Sequence, residues 1–229
     1  GLILAGALAP QFGESRSKLM LEAQLFNILT PKEKKLVMDL SVQFNFQLID
    51  ILKNLKETGK VKESRYITIK NKYLPYLQIY NENIKHEQFS NYIFETHFLG
   101  FSFSTSLKKV FSKEIDGLLD LSQVKELYDN ESCQFVAKIT NFHSGKSKAG
   151  NKMLKVDFQD GFGVIRGYMT GEDKIQKYHE LNGVFPKINE IVCCQATKKG
   201  DICFINSMNV QRQNVFLKVK DLPEVEISA

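Results

Sequence analysis

The residues of this sequence that most resemble a chemical motif form the triplet Gly145-Lys146-Ser147, within the stretch FHSGKSKAGNKM. Glycine, lysine and serine in this order end the phosphate-binding P-loop G-x-x-x-x-G-K-[ST], which connects a strand to a helix. That pattern needs a glycine five residues before Gly145, where the chain has Thr140, and a helix after Ser147, where an alternating run follows instead. A P-loop holds phosphate at a helix N-terminus. The sequence therefore predicts no P-loop here.

Metal-binding and catalytic patterns are also missing from the sequence. No pair among the four cysteines has C-x-x-C spacing, and Cys193 and Cys194 would point to opposite faces of a strand. We therefore predict four buried free thiols in a reducing compartment. The histidines form no ligand cluster, and Asp116 and Asp120 are predicted on the solvated face of a helix. We predict no catalytic residue, metal or cofactor in this chain.

The stretch around the triplet has a two-residue hydrophobic period, which predicts strands. The strands cover SCQFVAKITNF, NKMLKVDFQD, FGVIRGYM, NEIVCCQATKK and DICFINSMNV, and the segment GEDKIQKYHEL between the third and fourth is predicted to be a helix. Three strands, a helix and two strands form the layout of the five-stranded oligonucleotide/oligosaccharide-binding (OB) barrel. We predict this fold for residues 131–211.

The same period sorts side chains into a core face and an outward face. Leu154, Val156 and Phe158 are predicted to fill the core, whereas Lys155 lies outward. Single-stranded nucleic acid is bound by cations that follow its backbone and by aromatic rings that stack on its bases. We therefore predict a nucleic-acid-binding surface that includes a mobile basic loop and consists of Lys138, Lys146, Lys148, Lys152, Lys155, Arg166 and Tyr168.

The rest of the chain predicts an α+β protein with a helical N-terminal segment. Residues 1–59 are predicted as helices, with Ser15 as one cap, Thr30-Pro31 as another helix start and Gly59 as an end. One apolar stripe is formed by Leu36, Leu40, Phe44, Leu48 and Leu52. Residues 60–130 are predicted as a connector with short helices and residues 212–229 as a C-terminal tail.

Composition places the chain among ordinary folded proteins. It has 229 residues, 43% hydrophobic and 25% charged, with a net charge of +5. No apolar run approaches the roughly 20 residues of a membrane span, so no membrane partner is predicted. The chain begins at Gly1 without an initiator Met, which indicates a piece of a longer protein.

Four stretches together resemble the C-terminal part of bacterial DNA polymerase III alpha subunits. Leu2–Met20 is similar to the end of that family's helix-hairpin-helix region, and Phe94–Ser104 to the L-G-F/L-Y-L-S/T stretch before its OB domain. Ala137–Met153 resembles the first hairpin of that domain, and Gly163–Gly167 its G-x-[IL]-E-[VG] strand, with Arg166 in place of an acidic residue. The matched blocks occur in the family's order, which makes the series more specific than any single motif.

The resemblance implies a non-catalytic part of a cytoplasmic replicative DNA polymerase, in a bacterial cell or a phage-infected host. The parent protein would be a transferase with Mg²⁺ in its palm domain, which this chain lacks. Implied partners are single-stranded template DNA, possible duplex DNA along the N-terminal segment, and the palm and fingers. The residues after Gln211 are too few for the family's clamp-loader-binding domain, so the resemblance gives no support for contact with a clamp loader or sliding clamp.

Two other functions fit the same residues. A stand-alone OB module would bind RNA or tRNA and use the 2′-hydroxyl. A structural barrel would dock other replication proteins, with its lysines merely solvated. Features such as the apolar stripe of the N-terminal segment fit all three alternatives equally.

Overall fold

A computed structural model describes residues 1–7, 15–45, 47–183 and 185–223. The chain divides into two compact units. One combines Gly1–Gly100 with the segment that begins at Asn214, and the other is Phe101–Gln213. We call them the helical unit and the barrel unit.

The helical unit consists of helices around one apolar core. The helices are α1 (Arg16–Ile28), α2 (Pro31–Leu40), α3 (Leu48–Glu57), α4 (Glu63–Ile84) and α5 (Glu87–Leu99). Leu25, Ile51 and Leu55 are fully or almost fully buried in the core that α1, α3 and α4 share. Residues 8–14, which include part of the Leu2–Met20 match, lie outside the described residues.

The helix ends follow the local capping signals. The Ser15 side chain accepts a hydrogen bond from the Lys18 amide at the start of α1. Thr30 and Glu33 form a reciprocal capping box around Pro31 at the start of α2. Gly59 adopts a φ of 70° after α3, a conformation that favours glycine. These predicted ends are confirmed.

The apolar stripe from Leu36 to Leu52 does not lie on one continuous helix. Helix α2 ends at Leu40, α3 begins at Leu48, and Asn45 between them has a φ of 46°. Asparagine is one of the few residues that tolerate this left-handed region. The four-residue spacing therefore comes from two helices joined by a turn.

The predicted connector also differs from the structure. Its first part forms the 22-residue helix α4, which includes the partly β-branched run Tyr66–Ile69. Tyr73 and Ile69 pack into the core of the helical unit. Tertiary packing thus outweighs the weak helix propensity of the β-branched residues and of Pro75.

The barrel unit contains the OB fold. Its elements are α6 (Leu107–Phe111), β1 (Leu118–Leu119), α7 (Leu121–Glu126), β2 (Ser132–Lys146), β3 (Lys152–Gln159), β4 (Val164–Thr170), α8 (Glu172–Asn182), β5 (Ile191–Lys199) and β6 (Ile202–Val210). Asp116 and Asp120 were predicted on the solvated face of a helix, and this prediction is wrong. Leu118 and Leu119 between them pair with β2, and Asp120 caps α7 through the Gln123 amide.

Strands β2 to β6 close into a five-stranded barrel. The order is β2-β3-β4-β6-β5, and β5 pairs back with β2. All pairings are antiparallel except β4 with β6, which is parallel. Leu154, Val156 and Phe158 are completely buried inside, so their predicted core role is confirmed.

Gly167 shows how tightly the barrel interior is packed. A Cβ atom at this position would lie 2.7 Å from the Phe158 ring and 2.8 Å from the Ile205 side chain. Only glycine fits between these two side chains without displacing one of them. Tight packing therefore explains why the second glycine of the G-V-I-R-G stretch, Gly167, has no side chain.

The C-terminal segment belongs to the helical unit. The Asn83 side chain on α4 donates to the Phe216 carbonyl at 2.8 Å and accepts from the Phe216 amide at 2.9 Å. Asn83 is buried, and the N–H and C=O groups of its side-chain amide are both satisfied by this one backbone residue, as buried polar groups require. In the described part of the chain, no helix has the length and apolar character needed to cross a membrane.

Candidate nucleic-acid interface

The Gly145-Lys146-Ser147 triplet lies at the tip of a long hairpin. Strand β2 continues to Lys146, which pairs with Lys152 of β3. The turn between them is closed by hydrogen bonds from the Ser147 amide to the Asn151 carbonyl and from the Gly150 amide to the Ser147 carbonyl. The first half of the predicted basic loop, residues 143–146, is thus part of strand β2, and residues 147–150 form the turn. A strand follows the triplet where a P-loop would have a helix.

The tip lysines do not share the face of Lys155. Lys152 follows the same alternation as the buried Leu154, so it lies on the opposite side of β3 from Lys155, and Lys146 lies beside it in register. The Lys152 ammonium also forms an ion pair with Glu172 at the start of α8. The predicted cations therefore occupy two surfaces instead of one.

The outward face of the barrel carries a row of side chains across four adjacent strands. His143 of β2 is opposite Lys155 of β3, Lys155 is opposite Tyr168 of β4, and Tyr168 is the register partner of Phe204 on β6. Neighbouring strands lie about 4.8 Å apart, so these side chains are direct neighbours. We call this set of His143, Lys155, Tyr168 and Phe204 the face row. His143 is exposed and the other three are half-buried.

The next row of the face contains an ion pair. Arg166 donates from Nε to Asp157 Oδ1 at 2.7 Å and from Nη2 to Oδ2 at 3.4 Å. Hydrogen bonding from the Arg166 guanidinium lowers the pKa of Asp157, and Asp157 raises the pKa of Arg166 in return. The positive charge of Arg166 is therefore largely compensated within the protein. Its predicted role as an open cation is weakened.

Other predicted cations are open to a ligand. Within the described residues, no hydrogen bond or ion pair engages the ammonium groups of Lys138, Lys146, Lys148 or Lys155. Lys138 lies on β2 opposite Gln159, at some distance along the strands from the face row. Of these four lysines, only Lys155 stands beside an aromatic ring on the face.

The sequence-based site missed Phe204 and did not include His143. Phe204 stands between Cys203 and Ile205, which are both buried, so the two-residue period already indicates an outward position. Its place beside Tyr168 depends on the parallel pairing of β4 with β6. That contact joins strands separated by a helix and another strand, and no local pattern shows it.

The site has no features of a metal or redox centre. Across the described ranges, no three His, Cys, Asp or Glu side chains converge as metal ligands would. The four cysteines are free and buried, as predicted. Burial raises the pKa of the Cys193 and Cys194 thiols, which disfavours the thiolate form that binds metals or attacks substrates.

Comparison with known proteins gives structural neighbours only. No model of a protein family matches the sequence, and no curated protein sequence matches it. A mitochondrial single-stranded DNA binding protein from S. cerevisiae is similar at 15% identity and a TM-score of 0.30, over 38% of this chain and 100% of its own. The second OB-fold domain of replication protein A from Methanococcus maripaludis is similar at 18% identity and a TM-score of 0.27, over 44% and 96%.

A third neighbour covers more of this chain. The structure of RecG bound to a three-way DNA junction is similar at 14% identity and a TM-score of 0.29, over 78% of this chain and 26% of its own. TM-scores this low carry no inference about this chain. The OB assignment follows from the strand order and the pairing of β5 with β2.

Proposed function

We propose that the barrel unit binds single-stranded nucleic acid, with DNA as the preferred strand, across the face row. The observation that carries this proposal is the row of cross-strand neighbours His143, Lys155, Tyr168 and Phe204. The first two side chains can contact phosphates, and the last two are rings that can stack on bases.

The aromatic and the cationic members of the row have different roles in this proposal. Tyr168 and Phe204 offer ring faces on which two bases can stack, and stacking tolerates any base. Lys155 sits between His143 and Tyr168, where its ammonium can neutralise a phosphate of the same strand. Such contacts give binding that is independent of sequence and weakens as salt is added.

The finer proposal places this surface in a replicative polymerase of the DNA polymerase III alpha type. It is supported by the motif series from Leu2 to Gly167 and by the OB barrel that follows Phe94–Ser104. In that setting the barrel would hold the single-stranded template ahead of the active site. Catalysis would belong to the absent palm domain.

The test is fluorescence anisotropy with a labelled oligo-dT strand at several salt concentrations. Tyr168→Ala and Phe204→Ala should each weaken binding by about 1–3 kcal/mol. Phe185→Ala is the matched control, because Phe185 is an exposed ring outside the face row, between α8 and β5. Unchanged affinity in both row variants would contradict the proposed surface.

Three further ligands separate the alternatives. An oligo-U strand that binds more tightly than oligo-dT would favour an RNA-binding module. No binding of either strand at low salt would favour a protein-docking barrel. The polymerase context predicts that a duplex with a 5′ single-stranded overhang binds more tightly than either the blunt duplex or the free strand.

A further inference from the structure

A polar groove of about 580 Å³ lies at the end of the barrel where β4 and β6 begin. It is separate from the face row, although Arg166 of the neighbouring row forms part of its wall. The side chains that matter for its chemistry are Lys125, Asp157, Val164, Arg166, Lys198 and Asp201.

Lys198 is the unusual member of this groove. It follows Cys194 and Ala196 along β5 and is the register partner of Cys203, so it lies on the core side of its strand. The residue is 5% exposed. Within the described part of the chain, its ammonium forms no hydrogen bond or ion pair. The stem of the side chain is therefore held against the core, while the ammonium opens into the groove, where an anion can pair with it.

The other charges of the groove determine what kind of anion fits. Arg166 and Asp157 are paired with each other, so they contribute little net charge. Lys125 and Lys198 then remain against a single exposed carboxylate, Asp201. A phosphomonoester carries up to two negative charges near neutral pH, and can therefore pair with both ammonium groups. The exposed Val164 side chain adds an apolar wall that suits a sugar or base next to the phosphate.

We propose that this groove binds a phosphate group between Lys198 and Lys125. The phosphate comes either from the end of a nucleic-acid strand that crosses the face row or from a free mononucleotide. The first source rests on the proposed function above, because the strand must reach the groove from the row. The second source does not depend on it.

The first experiment uses oligo-dT strands of one length with a 5′-phosphate, a 3′-phosphate or hydroxyls at both ends. Their affinities are measured for the wild-type chain and for Lys198→Met. Methionine keeps the unbranched chain and suits a buried site, so the variant should remain folded. The wild type should bind one of the phosphorylated strands about tenfold more tightly, as expected for charge-assisted hydrogen bonds. Lys198→Met should bind all three strands equally.

The second experiment needs no nucleic-acid strand. The melting temperature of the chain is measured with inorganic phosphate and with AMP at constant ionic strength. Either ligand should raise it in the wild type and not in Lys198→Met. Lys177→Met on the exposed face of α8 is the matched control and should respond like the wild type.

The outcomes separate the two sources. A preference for one phosphorylated end that Lys198→Met loses supports the strand source. A melting shift that Lys198→Met loses, without an end preference, supports the free mononucleotide. If neither effect is present, or if Lys198→Met behaves like the wild type in both experiments, the groove is not a phosphate site. Tyr168→Ala could lose oligo-dT binding and still show the wild-type rise in melting temperature with phosphate or AMP. That result would show that strand binding and phosphate binding depend on different residues.

Discussion

The helical unit and the barrel unit differ in how several of their charged side chains are paired. In the helical unit, Arg16 and Glu95 form an ion pair at 2.6 Å with side chains that are 7% and 0% exposed. Arg65 binds Glu33 through two hydrogen bonds of 2.7 and 2.8 Å. In the barrel unit, by contrast, Lys155 lies on the face row, and its ammonium has no hydrogen bond or ion pair in the described part of the chain.

This contrast separates charged side chains that stabilise the fold from charged side chains that remain open on the surface. Buried ions need partners within the protein or from outside it. The helical unit pairs Arg16 and Arg65 within itself, whereas the Lys198 ammonium has no hydrogen bond or ion pair in the described residues. The cations on which both proposals depend lie in the barrel unit.

The largest effect on stability is expected from removing one charge of the buried Arg16–Glu95 ion pair. Glu95→Gln keeps the shape of the side chain but replaces the buried carboxylate beside Arg16 with a neutral amide. We expect the free energy of unfolding of the helical unit to fall by about 3–5 kcal/mol, measured by chemical denaturation with circular dichroism.

Glu82→Gln is the matched control for that change. Glu82 pairs with Lys85 on the surface, and such pairs contribute about 1 kcal/mol or less. Equal losses in the two variants would contradict the view that burial makes the Arg16–Glu95 pair important.

A smaller, pH-dependent effect is expected at Glu33. Hydrogen bonding to Arg65 lowers the pKa of Glu33 from 4.5 to about 2. The folded pKa lies below the unfolded one, so this stabilisation is complete above about pH 4.5 and is lost as the pH falls towards 2. We expect a loss of about 2–3 kcal/mol across this window, measured by denaturation at pH 5 and pH 2.5.

Two carboxylate variants isolate this contribution. Glu33→Gln should remove most of the pH dependence in this window. Glu63→Gln, at an exposed carboxylate paired with Lys56, should keep it. The assignment to Glu33 fails if the Glu33→Gln protein retains the full acid destabilisation.

The smallest effect distinguishes two lysines of β3. Lys155 is on the face row without an ion-pair partner in the described chain, whereas Lys152 is on the opposite side and pairs with Glu172. Lys155→Gln should reduce the slope of log K against log salt for oligo-dT by about 0.7, the value for one phosphate contact on a single strand. Lys152→Gln should leave this slope unchanged, and the reverse ranking would place the strand on the hairpin tip.

Much of the barrel could be predicted from local patterns. Strands β3 and β4 alternate strictly between buried and outward residues, and most antiparallel strands are followed in the chain by their partners, so period and turns were sufficient. The helical unit was harder because its apolar positions belong to several short helices. A four-residue spacing runs from Leu36 to Leu52 across the turn at Asn45, and the β-branched run Tyr66–Ile69 lies on a helix.

The site was predicted less completely than the fold. Alternation identified the outward positions of Lys155, Arg166 and Tyr168, which β3 and β4 bring together. It could not show that Asp157 neutralises Arg166 or that Phe204 stands beside Tyr168. Both facts depend on which strands pair and in which register, and the parallel β4–β6 contact is distant in sequence.

The attachment of Phe216 to Asn83 has a consequence for biosynthesis. Residues 101–213 are made between the two parts of the helical unit, so the ribosome completes the whole barrel before Phe216 exists. Domains can fold as units while the chain grows. Until Phe216 is synthesised, the Asn83 side chain lacks the backbone partner of the finished fold, so this contact of the helical unit forms only after residues 101–213 have been made.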